Sequence, residues 1–108
     1  MGYLKPEYVI LETSQYEKKG INEIDKFIEE QEEEIKRYFK KFDKLTNATI
    51  IYFMCWDGSK EGWDESNKCN EVREKFIDII REKFEYPTFI HLRLGGDEKG
   101  YSIYGIEA

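Results

Sequence analysis

The run Thr49-Ile50-Ile51-Tyr52-Phe53-Met54-Cys55-Trp56 constrains the fold more than any other stretch. Side chains alternate between the two faces of a strand, and here both alternating sets are apolar. Such a run is expected to be a central strand buried on both sides. A chain of 108 residues makes one domain, 1–108, long enough to hold a core around that strand.

The other elements order themselves around it. Tyr8 to Thr13 is rich in β-branched and aromatic residues and reads as a first strand. A polar loop then runs to Gly20, and Asn22 is placed to cap a helix. Apolar residues from Ile21 and Ile24 through Phe39, Phe42 and Leu45 recur at helical spacing. They predict one long amphipathic helix, its stripe interrupted at Gln31 and Glu32. A second helix is expected to start at Asp64 or Ser66 and to end before Pro87, with Cys69, Val72, Phe76, Ile79, Ile80 and Phe84 as its stripe. Thr88 to Leu94 alternates as a strand, with Ile90, Leu92 and Leu94 on one face and Phe89, His91 and Arg93 on the other. Residues 95–100 form a glycine-containing turn, and Tyr101 to Ile106 returns as a hairpin strand.

The result is an α/β chain. It is expected to be an α+β two-layer sandwich of order β-α-β-α-β-β, with a mixed four-stranded sheet and two helices. Two β-α-β units imply parallel strands joined by right-handed crossovers, and the last hairpin adds an antiparallel edge. The order of elements resembles the start of the thioredoxin fold. The chain lacks that fold's redox cysteine motif and its final helix, so the shared order carries no activity.

Charge and cysteine content narrow the function classes. Lys and Arg total 17 against 23 Asp and Glu, for a net charge of −6. An acidic chain repels phosphate backbones, so direct nucleic-acid binding is not expected. A basic protein partner is. No apolar run is long enough for a membrane span and no secretory signal is visible, so the expected location is cytoplasmic. Cys55 and Cys69 fit neither a C-x-x-C pair nor a zinc set with the single His91, and are expected to be buried free thiols. Alanine occurs only twice while Lys, Glu, Ile and Tyr abound, a bias that fits an AT-rich genome such as that of a virus, phage or thermophile; with the size and charge it also fits a viral, phage or mobile-element protein.

Chemistry is most concentrated in the loop after the apolar strand. Trp56, Asp57, Glu61, Trp63, Asp64 and Glu65 fall there, with Gly58 and Gly62 permitting sharp turns. In open α/β sheets, ligands bind at the carboxyl ends of strands. One reading makes this loop a recognition surface, with tryptophan as anchor and acid for steering. The other makes it a Mg²⁺ or Mn²⁺ site in which Glu12, at the end of the first strand, joins Asp57, Glu61 and Asp64. Cys55-Trp56-Asp57-Gly58-Ser59 resembles the strand-then-loop segment of haloacid-dehalogenase-type phosphatases. Cys55 stands where that family's nucleophilic aspartate belongs, so the activity does not carry over.

With two helices on one side, a four-stranded sheet leaves a face open. The face bearing Phe89, His91 and Arg93 is expected to be that open surface and to form a homodimer or partner contact. The expected function is a small acidic, non-enzymatic interaction protein of inhibitor or adaptor type, without a cofactor. The alternative is a small metal-dependent hydrolase or nucleotide-binding protein using carboxylates at strand ends.

Overall fold

The structure, a computed structural model, describes residues 6–55, Gly58, residues 63–94 and the backbone of 101–107. The two-layer α+β architecture is as expected. The sheet is not mixed and not four-stranded: five strands pair antiparallel throughout, in the order β2-β3-β1-β4-β5. The chain runs β1 (Glu7–Ser14), α1 (Lys18–Glu29), the single turn α2 (Glu33–Lys36), β2 (Phe39–Phe42), β3 (Thr49–Met54), α3 (Asp64–Lys83), β4 (Thr88–Leu94) and β5 (Tyr101–Glu107).

The extra strand is β2. The helical stripe predicted through Leu45 ends at Glu29, where Gln31 turns its side-chain amide back to donate to the Phe27 carbonyl at 2.9 Å. Glu32 then adopts extended backbone before α2. Residues 39–42, Phe-Lys-Lys-Phe, pair with β3 as an edge strand. Lysines on an edge strand discourage further pairing. Three residues with positive φ in the 44–48 turn (Lys44, Asn47 and Ala48) reverse the chain into β3.

That one strand changes the sense of the whole sheet. Each long connection still joins parallel strands, β1 to β2 and β3 to β4. A strand lies between the members of each pair, however, so every adjacent pair is antiparallel. This is the split β-α-β arrangement of ferredoxin-like folds, with β5 added beside β4.

Both long helices pack on one face. Val9, Leu11, Tyr52, Met54, Ile24, Phe76 and Ile80 form the dry centre between sheet and helices. Phe39 meets Phe76 edge-on at 5.3 Å, which ties β2 into this core. The Tyr52 hydroxyl donates to Asp25 Oδ1 at 2.7 Å, and Lys41 donates to Oδ2 at 2.9 Å. Burial and the neighbouring Asp25 carboxylate hold the Tyr52 phenol far above its usual ionisation range.

Gly20, expected to close a loop, lies inside α1 instead. A Cβ there would meet the Phe84 ring at 2.7 Å, so glycine sets the closest approach of α1 to the end of α3. Glu17, not Asn22, holds the N-cap position. Its carboxylate leaves α1 uncapped because it accepts the backbone N–H groups of Glu85 (3.2 Å) and Tyr86 (2.9 Å). α3 keeps the predicted boundaries, and Cys69, Val72, Phe76, Ile80 and Phe84 of the predicted stripe are buried, while Ile77 is buried where the stripe named Ile79, which is half-buried.

Candidate functional site

The register of the strands decides which side chains the helices cover. Val9 pairs with Met54 and His91, and Leu11 pairs with Tyr52 and Phe89. All of these share the helix-covered face. Phe89 is buried there, and His91 and Arg93 are half-buried. The expectation that Phe89, His91 and Arg93 form the open face is therefore overturned; parity along β4 is the reverse of that reading.

The open face carries the other set. One cross-strand row reads Lys40, Phe53, Ile10, Ile90, and the next Tyr8 and Leu92, with Phe42 and Ile51 on the far side. Tyr8 and Phe53 stack at 6.0 Å and 18°. Ile10 is 37% exposed and Phe42 is exposed, while Tyr8, Ile51, Phe53, Ile90 and Leu92 are half-buried. Among the described strand residues on this face, only Glu12 and Lys40 carry charge. Among the described residues β3 is thus covered on one side only: Ile50, Tyr52 and Met54 are buried, and Ile51 and Phe53 are half-buried. Its doubly apolar run marks an uncovered apolar face, not double burial.

A polar cluster replaces apolar packing where β1 begins. Arg73, on α3, is 2% exposed. Its Nη1 donates to Glu7 Oε2 at 3.2 Å and to Asn70 Oδ1 at 2.6 Å, and its Nη2 lies 3.4 Å from Cys69 Sγ. His91 Nε2 sits 3.0 Å from the other Glu7 oxygen. Burial by itself would raise the Glu7 pKa. The His91 hydrogen bond and the charges of Arg73, His91 and Arg93 outweigh it and hold this carboxyl below the usual range. Arg73 Nε is buried without a hydrogen-bond partner. The cluster explains how His91 and Arg93 occupy the inner face of β4: Glu7, on β1, supplies the carboxylate that faces them and Arg73.

Of the predicted loop, Trp56, Asp57 and Glu61 lie outside the described residues. Trp63 stands at the N-cap of α3 and is 52% exposed, and Asp64 and Glu65 are exposed in the first helical turn. Acid there suits the positive end of the helix dipole. Glu12 does not join them. Antiparallel pairing sets Glu12 beside Ile51, near the end where β3 begins, while the loop leaves β3 beyond Met54. Glu12 is at the end where Glu17 binds Glu85 and Tyr86, past the carboxyl end of α3. Asp64 is at the helix's other end, roughly 30 Å away along a 20-residue helix. Glu12 and Asp64 of the expected metal set therefore do not converge. Among the described residues, no group of three or more His, Cys, Asp or Glu side chains is placed to hold a metal ion. Cys55 is half-buried, unlike the buried Cys69, and both are free thiols.

The sequence matches no protein-family model and no curated protein. No helix among the described residues is long and apolar enough to cross a membrane.

The residues missed from the sequence are Tyr8, Ile10, Phe53, Ile90 and Leu92. Their signal was present in the β3 run, where both alternating sets are apolar although the helices cover only one of them.

Proposed function

We propose that this chain is a non-enzymatic interaction protein that works as a homodimer through the open face of its sheet. A single observation carries the reading: the row Phe53–Ile10–Ile90, flanked by the Tyr8–Phe53 stack, on a face whose described strand residues include one acid and one base. An apolar surface of this kind marks an interaction site.

A second copy is the occupant that the charge distribution favours. Apart from Glu12 and Asp43, the exposed carboxylates among the described residues lie on the helix layer and its turns, among them Glu30, Glu33, Glu34, Glu71, Glu74 and Glu82. Two acidic chains meeting sheet to sheet keep these groups apart and in water. Five strands about 4.8 Å apart and about 20 Å long give a footprint of roughly 500 Å² per copy. Both copies together reach ~1,000 Å², the lower bound for a specific interface. Stacked sheets with apolar inner faces pack in this manner in β-sandwiches.

The dimer then presents two acidic helix layers outward, suited to a basic protein, which supports an adaptor or inhibitor role. The same charge opposes stacking of nucleic-acid bases on Tyr8 and Phe53. Light scattering coupled to size exclusion tests the assembly. A dimer mass for the wild type and a monomer mass for folded Phe53→Asp support it; a monomeric wild type overturns it.

A further inference from the structure

The open face of the sheet is patterned along its diagonals. Each step from Phe42 on β2 to Phe53 on β3 and on to Tyr8 on β1 moves one strand across and two residues along. A second diagonal runs beside it, from Ile51 on β3 to Ile10 on β1 and Leu92 on β4. The first is aromatic and the second aliphatic, and the Tyr8–Phe53 stack at 6.0 Å lies along the first. A seam separates the two.

The two charged strand residues of this face flank the seam. Lys40 is paired with Phe53 on the aromatic side, and Glu12 with Ile51 on the aliphatic side. Both are exposed. With strands about 4.8 Å apart and residues rising about 3.4 Å, the line from Lys40 to Glu12 crosses the seam at a right angle and is halved by it. Ile51 and Phe53 stand between them. Among the described residues, neither Lys40 nor Glu12 takes part in an ion pair of its own chain, whereas Lys41, which faces the helices, is held by Asp25.

Covering this face without regard to these two groups would bury charges that have no partner, at a cost that opposes association. A two-fold axis along the seam, in the plane between two facing sheets, avoids that cost. It lays the aromatic diagonal of one copy over the aliphatic diagonal of the other, and it exchanges the positions of Lys40 and Glu12. We infer that Lys40 of each copy pairs with Glu12 of its partner, and that these two symmetric ion pairs set the orientation of the dimer; the inference rests on the reading of the open face as a dimer interface. A two-fold interface uses the same patch twice, so an acid and a base placed on opposite sides of the axis make the patch complementary to itself.

The test measures dimer dissociation constants of the full chain by sedimentation equilibrium, for the wild type, Lys40→Glu, Glu12→Lys and the double exchange. Circular dichroism checks that each variant keeps the fold. In either single variant like charges meet twice across the interface, so the dissociation constant is expected to rise about tenfold or more. The double exchange restores both pairs and is expected to return it close to the wild-type value. An equimolar mixture of the two single variants is expected to form a heterodimer at concentrations where each alone is monomeric, because each supplies the charge that the other lacks. Single variants that dimerise as tightly as the wild type, a double exchange as weak as the singles, or a mixture that stays monomeric overturns the pairing while the dimer stands. A wild type that is itself monomeric overturns the dimer and the pairing together.

Discussion

Ile10 and Phe53 sit directly opposite each other on β1 and β3, on the sheet face that no helix covers. They are apolar neighbours at the middle of five strands, where a monomer would place polar side chains. Replacing Ile10 by lysine puts a charge at the centre of this face without touching the helix-covered core. The expected result is a dimer dissociation constant raised by about tenfold or more, in line with burying an unpaired charge at an interface. Sedimentation equilibrium checks it, and circular dichroism checks that the fold persists.

Glu7 links Arg73 and His91, so its loss leaves the Arg73 guanidinium buried without its carboxylate. Glu7→Gln is expected to cost about 3 kcal/mol, and adding Arg73→Met to recover most of it. Urea unfolding of the single and double variants measures both. The pH dependence follows from the lowered Glu7 pKa. The stabilisation is fully present above the ordinary value of 4.5 and is lost as the pH falls below it through the folded-state value. The acid limb of the stability profile is therefore expected to be shallower in Glu7→Gln than in the wild type.

Gly20→Ala should destabilise by about 1–3 kcal/mol despite alanine's better helix propensity, because the added methyl meets the buried Phe84 ring. Combining it with Phe84→Leu relieves the clash, and the pair is expected to unfold at a higher denaturant concentration than additivity allows.

Ala48 has φ 58°, in the left-handed region, and its carbonyl accepts the Gln15 N–H at 2.9 Å. Glycine adopts this conformation without the side-chain penalty. Ala48→Gly is therefore expected to stabilise the fold by about 0.5–1 kcal/mol after the entropy of the unfolded glycine is deducted. Thermal denaturation at matched concentration would register this as a raised midpoint.

Elements with long, consistent periods were legible in the sequence. The stripe from Cys69 to Phe84 located α3, the density of β-branched and aromatic residues located β1, and alternation located β4. β2 was not legible, because Tyr38, Phe39 and Phe42 fit a helical stripe and Phe39-Lys40-Lys41-Phe42 is too short for its period to decide. Missing that strand also hid the antiparallel sense of the sheet, and with it the separation of Glu12 from Asp64. Parity on β4 failed for a different reason. Hydropathy alone would turn Ile90, Leu92 and Leu94 inward. The long-range pairing of Glu7 with Arg73 and His91 makes the opposite face acceptable inside, and a contact spanning 66 residues leaves no local trace. One residue of parity moves a whole strand's side chains between faces, so the candidate interface moved with it.

The most direct test of the central claim is an isotope-filtered nuclear Overhauser experiment on a mixed dimer, one copy labelled with ¹³C and the other unlabelled. The account predicts intermolecular contacts from the Phe53 ring to the methyl groups of Ile10 and Ile90. A dimer whose intermolecular contacts arise from the helix layer, or a sample with none at all, would contradict it.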